Sequence, residues 1–599
     1  IRTNEQLRLF CNRSNFNAAR EKLFAGRTGS FAVIPESTMR KVFEYDIRPE
    51  WKDKADVLEL NLSLARREAE HLQLVLLPQT DKPETLKIRW IPQDSKTPEV
   101  KFEKVDYIRS DRRAYPQVNE RTASYPDPLL PLEKSEIRLN GKNQPLWITV
   151  EADSNTNPGT YSGKLVITGE SGTEAVMMLN ITVRNFSLPE RSQFRTCFFL
   201  NRVFMLEYFG IKDWQGEKAM SRKIIEISAK NRLTLMPMLE HRPTWLQPNW
   251  TATKDAQGKY HFDFTKENEI TRMILDEFHG TGYNVAPSPT WDRYFGYMWL
   301  TDPKTGKAKR LPYSMKHPEF QNIYRDFLQA AWENAKKNGW EKYAYHYIWD
   351  ESNGPEWNRL YMDSRKFAPE LKTLAVGYQL QRMTPETVEA VNIWCPLTAN
   401  FNPDFAAERV KKGDEAWCYV CVIPKNRYNL FIDHEAFTHR ALLWWCRTRK
   451  ITGLLYWGVC FWDQAVRTRK QTGKVWPEIQ WHANQYQDGN GDGYLVYPDA
   501  RNGRIYSSLR LAVLRDGLED MEYFLLLDAK KAEAAQRTEK AFRNWLKEVN
   551  RAEAEIPQVI AGETRNDGKM VSREYNGEQL ESVREKIGDL LDQYPGGWK

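Results

Sequence analysis

The chain runs to 599 residues, too long for one compact core, and its 41% hydrophobic and 28% charged content is that of a folded multidomain protein. Its net charge of +7 comes from 87 basic and 80 acidic residues whose signs are mostly interleaved, which argues against a nucleic-acid partner. No stretch reaches the roughly 18 apolar residues of a membrane span. Because the chain begins at Ile1, the expectation is that an upstream leader has been removed and that the protein is periplasmic or extracellular.

Residues 1–190 are rich in alternating, β-branched runs separated by turn clusters. Examples are VLELNL at 57–62, LQLVLL at 72–77, WITVE at 147–151, KLVIT at 164–168 and AVMMLNITV at 175–183. The turn Asn157-Pro158-Gly159 leads into one of them, and the pattern predicts an antiparallel β-sandwich ending near Leu188-Pro189. From 191 to 530 strand and helix alternate. Eight strands are predicted, at 194–202, 233–242, 284–291, 343–351, 371–379, 392–400, 415–423 and 453–462. Helices are predicted at 217–230, 267–278, 318–338, 434–449 and 505–528. Short apolar strands alternating with helices predict a (β/α)8 barrel. A doubly wound open sheet is the alternative, weakened because no Gly-rich phosphate loop follows the first strand. Residues 531–599 hold two charged helical patterns, at 533–550 and 578–591, expected to form a helical cap on the barrel.

The seven cysteines are scattered and imply no disulfide framework. Cys418 and Cys421 form a lone CxxC inside an apolar strand, which reads as core packing, so no metal is assigned there.

The predicted fourth strand ends in Tyr347-Ile348-Trp349-Asp350-Glu351. In a parallel barrel that end carries the chemistry, and two carboxylates there suit glycosidic cleavage, where one protonates the leaving oxygen and the other stabilises developing positive charge. Asp-Glu-Ser-Asn-Gly is also ordinary turn chemistry. The ends of strands six (Thr398 to Asn402) and seven (Cys421 to Lys425) offer no second acid, and Asp463 after strand eight is the other acid near a strand end. The adjacent pair therefore points to substrate assistance: the sugar's own 2-acetamido oxygen attacks its anomeric carbon, Glu351 acts as acid and then base, and Asp350 orients the acetamide. Neighbouring strand residues face opposite ways, so this requires a bend or bulge, which Ser352-Asn353-Gly354 is placed to supply.

On these residues the chain resembles glycoside hydrolase family 123, the retaining N-acetyl-β-galactosaminidases. The resemblance is carried by Trp349-Asp350-Glu351, by ARREAEHLQLVL at 65–76 with NPGTY at 157–161, and by GDGYLVYP at 491–498 followed by SLRL at 508–511 and LRDGLEDMEY at 514–523. It spans about residues 50–530 and departs from the family in having Ser352 where relatives often carry Pro. It implies a glycan or glycoconjugate substrate, Asp350 and Glu351 as the catalytic pair, and no cofactor. Two alternatives stand beside it: a glycosidase using another carboxylate such as Asp463, and a non-catalytic glycan-binding protein.

Polar and aromatic residues at predicted strand ends are the candidate sugar contacts: Asn201, Arg202, His241, Arg242, Trp291, Tyr378, Asn400, Trp457, Trp462 and Asp463. The 488–499 segment has the D-x-N-x-D-G spacing of a calcium loop but lacks its terminal Glu, and a tight Gly-Asp turn is the preferred reading. Arg-Thr-Arg-Lys occurs at 447–450, read as a helix C-terminus at the barrel bottom, and at 467–470, read as a loop on the catalytic side able to meet an anionic glycan.

Overall fold

The computed structural model describes residues 4–55, 57–110, 124–236, 250–286, 297–312, 315–351, 355–377, 380, 383–425, 428–486, 489–560 and 576–598. Two five-stranded sheets stack at the N-terminal end. One has the order Phe31–Glu36, Glu68–Pro78, Gln144–Ala152, Glu99–Arg109, Ser124–Pro131; the other runs Glu59–Arg66, Glu174–Ser187, Gly159–Gly169, Glu84–Pro92, Glu136–Leu139. Their facing residues, among them Leu64, Leu76, Ile148 and Ile167, make one apolar layer, as the alternating pattern requires. Two features depart from the expected antiparallel sandwich. Glu59–Arg66 pairs parallel to Glu174–Ser187, because the long excursion between them lets the chain return in the same direction. A helix, Asn4–Phe24, covers the outer face of the first sheet through Phe16, Leu23 and Phe24.

Eight parallel strands follow: Arg195–Phe199, Leu235–Met236, Tyr283–Asn284, Ala344–Asp350, Lys372–Gly377, Ile393–Pro396, Glu415–Val420 and Gly453–Tyr456. Their order in the sheet, two-one-eight-seven-six-five-four-three, is that of a barrel. Among the described residues no backbone ladder joins strands two and three. Threonines bridge that gap at the N-terminal end: the Thr281 N–H donates to Thr234 Oγ1 (2.8 Å), and Thr196 Oγ1 accepts from the Thr234 N–H (2.8 Å). The barrel is thus nearly closed. A four-stranded sheet, with strands Tyr260–Asp263, Thr251–Lys254, Tyr297–Thr301 and Ala308–Pro312, rises from the segments after strands two and three; it has no counterpart in the sequence reading.

The last barrel helix, Leu509–Ala534, is buried over most of its length because it packs on the helix Phe437–Thr448, on sandwich strands and on the C-terminal helices. The final helix, Gly577–Asp592, is a wedge between sandwich and barrel more than a cap on the barrel. Arg184 of the sandwich binds its Asp589 and Asp592 (2.9 Å each), and its Arg584 reaches Glu68 (2.5 Å) and the Tyr523 hydroxyl (3.1 Å). Among the described residues no helix is long and apolar enough to cross a membrane.

Candidate active site

Along strand four, Tyr345 and Tyr347 project into the barrel interior while His346 and Ile348 lie in the layer between strands and helices. Strict alternation would put residue 349 inside and 350 outside. The ladder to strand five breaks that rule: Tyr347 is paired with Leu374, but the next pairs are Trp349 with Ala375 and Asp350 with Val376. The extra residue is a β-bulge, and it shifts the phase so that Asp350 lies beside Val376, an interior residue. Glu351 then takes a left-handed backbone (φ 57°), a conformation that costs an ordinary residue about 1–2 kcal/mol and recurs at functional sites. The expected bend is therefore present, but it is built before and at the pair. Ser352, Asn353 and Gly354 lie outside the described residues.

Both carboxylates consequently meet phenols of the barrel interior. Tyr347 Oη donates to Asp350 Oδ1 (2.6 Å), and Tyr419 Oη of strand seven donates to Glu351 Oε1 (2.7 Å). Among the described residues no cation forms an ion pair with either acid. Burial, and then the adjacent Glu351 charge, push the Asp350 carboxyl up to about 7, against the pull of the Tyr347 hydrogen bond. Strand three supports this end: Asn284 Oδ1 accepts the Tyr347 N–H (2.8 Å). Tyr419 was not among the sequence candidates. Its signal was the period of two from Trp417 through Tyr419 to Cys421, which sets all three on the inner face.

Beyond strand eight stands an aromatic corner. The half-buried Trp457 ring lies 4.7 Å from Phe461 and 5.0 Å from the exposed Tyr486, centroid to centroid. Its Nε1–H donates to Asp492 Oδ1 (3.0 Å), which also accepts from Tyr456 Oη (3.1 Å). Asp492 is fully buried, and burial raises its carboxyl to about 7 against the opposing pull of Trp457, Tyr456 and Arg510. The glycines around it are steric necessities. Gly493 has φ +80°, and a Cβ there would sit 2.4 Å from the Trp457 ring; one on Gly491 would sit 2.6 Å from Arg510. Arg510 in turn binds Asp127 of the sandwich and the Gly491 carbonyl (2.7 Å). The calcium spacing has no common centre here: Asn490 binds Asp433 (3.0 Å), Asp492 turns to Trp457, and Asp499 accepts from Asn502 (2.7 Å) and Tyr506 (2.8 Å). Asp488 lies outside the described residues.

The other candidates divide by environment. Asn201 is a buried clamp between strands one and eight, donating to the Trp457 carbonyl (3.2 Å) and accepting from the Val459 N–H (3.1 Å). Arg202, also buried, binds Glu217. Trp462 is turned into the core with its N–H on the Val496 carbonyl (3.0 Å), and Asp463 starts the helix Asp463–Thr472, where it binds Arg467 (2.8 Å). Asn400 is exposed at the end of a short 3-10 turn after strand six. His241, Arg242, Trp291 and Tyr378 lie outside the described residues. The 467–470 run is helical, not a loop, and Lys470 binds Glu207 (2.9 Å), so these cations are engaged locally. Arg447 of the other run binds Asp528 and Glu553. Cys418 and Cys421 fall on opposite sides of strand seven, so they form no chelating pair.

A nearly closed parallel barrel with adjacent carboxylates at the mouth of its fourth strand, and an aromatic corner on its eighth, has the build of a barrel glycoside hydrolase. The family profile described as Glycoside hydrolase 123, catalytic domain, matches residues 204–527, more than half of the chain, and the chain belongs to that family. Among solved structures, a family 123 glycoside hydrolase from Clostridium perfringens aligns at TM-score 0.68 with 14% identity, covering 94% of this chain and 97% of its own. A family 39 glycoside hydrolase from the gut symbiont Bacteroides cellulosilyticus aligns more loosely, at TM-score 0.33 and 10% identity over 77% of this chain and 81% of its own. No curated protein sequence matches the chain.

Proposed function

We propose that this glycoside hydrolase is a retaining, exo-acting β-N-acetylhexosaminidase that favours N-acetylgalactosamine and works by substrate assistance. The observation that carries the reading is the bulge and left-handed turn that bring Asp350 and Glu351, neighbours in sequence, to phenols of the same barrel interior. Two carboxylates on one side of a sugar do not flank its anomeric carbon as an acid and a separate nucleophile must. The nucleophile is then the substrate's acetamide oxygen.

In this reading Glu351 gives its proton to the leaving oxygen as the acetamide oxygen bonds to C1 and the glycosidic C1–O bond breaks, and Asp350 accepts a hydrogen bond from the N–H of the resulting oxazolinium ion. Glu351 next takes a proton from water, which opens the ring with net retention. In the free protein burial raises the Asp350 carboxyl to about 7, and an acetamide N–H donating to Asp350 on binding favours its carboxylate. Trp457 supplies the apolar face for the ring. The Clostridium perfringens relative is described as hydrolysing glycolipid glycans, which supports a glycoconjugate as substrate here.

The test is aryl release from N-acetyl-β-galactosaminide, its gluco epimer and the β-galactoside lacking the acetamide. Release from the acetamido compounds alone is expected, faster for galacto. Release from all three, or from the plain galactoside alone, overturns assistance; inertness of the acetamido pair overturns the substrate assignment.

A further inference from the structure

Asp492 is a carboxylate with no evident structural excuse. It is 0% exposed, its Oδ1 takes two hydrogen bonds, and its Oδ2 has no partner among the described residues. A buried unpaired carboxylate oxygen disfavours folding, and an apolar or amide side chain in this glycine-lined space would avoid that cost. The charge is nonetheless close to the site: Asp492, Glu351 and Asp350 all act on the Cys421 thiol at the barrel mouth. Of its two donors, Tyr456 is fully buried, but Trp457 presents its ring at the mouth.

The geometry points to Asp492 as a positioning residue: through the indole N–H it fixes the plane of the Trp457 ring that meets the sugar. This rests on the reading of Trp457 as the sugar platform. The surroundings allow the ring little else to hold it in rotation. Phe461 meets it edge-on at 64° and Tyr486 at a tilt of 59°, contacts that tolerate sliding, and Gly493 offers only backbone beneath it. Among the described residues the hydrogen bond to Oδ1 is the one directional contact of the ring. Its effect falls on binding of the ring in ground and transition states alike, and not on the acid–base pair.

The prediction is a split between binding and chemistry. Asp492→Ala raises KM about tenfold with kcat within about threefold. Asp492→Asn keeps an oxygen acceptor for the indole and recovers most of that loss. Trp457→Phe keeps a ring but removes the donor, and it raises KM to a similar degree; adding Asp492→Ala to it then changes little, because both remove one bond. Independent, multiplying effects in that double variant overturn the proposal, as does a kcat loss with KM unchanged. Should Asp492→Ala fail to fold, Trp457→Phe with and without Asp492→Asn tests the same bond. Trp457→Ala separates the two readings. Unchanged KM there removes the platform itself, whereas a large KM increase with an inert Asp492→Ala removes only the positioning role.

Discussion

At the bottom of the barrel Glu415, the first residue of strand seven, faces Arg195 (2.9 Å) and Lys372 (2.8 Å) and accepts the Trp417 indole N–H (3.0 Å). At the mouth, Asp350 and Glu351 are met by phenols and by each other. Burial raises the carboxyl at both ends. At the bottom Arg195 and Lys372 outweigh it and Glu415 ends below its usual value; at the mouth nothing cationic among the described residues does, and Asp350 ends near 7. Strand seven serves both ends, with Glu415 neutralised for architecture and Tyr419 bonded to the acid proposed to react. A carboxylate that the fold declines to neutralise is the physical mark of the working end.

The contrast is broken most decisively by removing the mouth acids. Glu351→Gln is expected to lower kcat by about 10³-fold or more on substrates whose leaving group needs protonation, and Asp350→Asn by a similar factor, as read by steady-state kinetics. Near-normal turnover in either would end the proposed roles. The phenols come next. Tyr419→Phe should cost about 10-fold in kcat, because the hydrogen bond that orients Glu351 is lost, with little change in thermal midpoint. Tyr347→Phe removes the bond that holds Asp350 down, so the limb of the kcat/KM profile that Asp350 sets, near pH 7 in the parent, should move to higher pH.

Glu415→Gln is expected to act on stability instead, by about 2 kcal/mol at pH 7 in urea unfolding, leaving kcat within a few-fold. Its folded value is lowered, so the stabilisation is present above the unfolded carboxyl range of about 4.3 and is lost as pH falls through the folded value. The penalty of the mutation should therefore fade in acid. Asp350 has the opposite sign and the smallest effect. Its folded value is raised, so its cost is absent below about pH 4, grows from there to about 7 and is complete above. Asp350→Asn should raise the thermal midpoint by a few degrees at pH 8 and not at pH 4. If both variants destabilise equally at all pH values, the contrast between the barrel's ends fails.

Much of the fold was legible because its signals are local and repeated. All eight barrel strands fall within or overlapping the stretches read from alternating strand and helix, and the sandwich strands follow the period of two. The four-stranded sheet after strands two and three was not legible, because short strands such as Thr251–Lys254 carry too few residues for a period to show. The parallel pairing within the sandwich was hidden for another reason: alternation reports which face is buried and not the direction of the neighbour. At the site, the acidic pair stood out through its placement at a strand end. Asn201, Arg202 and Trp462 stood at strand ends too, yet their partners Val459, Glu217 and Val496 come from other segments, and only those partners reveal clamp, ion pair and core. Tyr419 escaped notice for the same cause, and Asp492 stood out only as part of a calcium-like spacing.

By itself the sequence determined the order of strands and helices, the burial face of each, and the chemical identity of an Asp-Glu pair at the end of barrel strand four. Those properties are set within a window of a few residues, by side-chain period and backbone preference. Tertiary structure decided that both acids turn inward, through one extra residue in the ladder with strand five and a left-handed Glu351. It also decided which carboxylates stay uncompensated. Charge balance in a buried space depends on groups 68 to 220 residues away in the chain, as Tyr419 is from Glu351 and Glu415 from Arg195, and distance through space is a quantity that no local pattern contains.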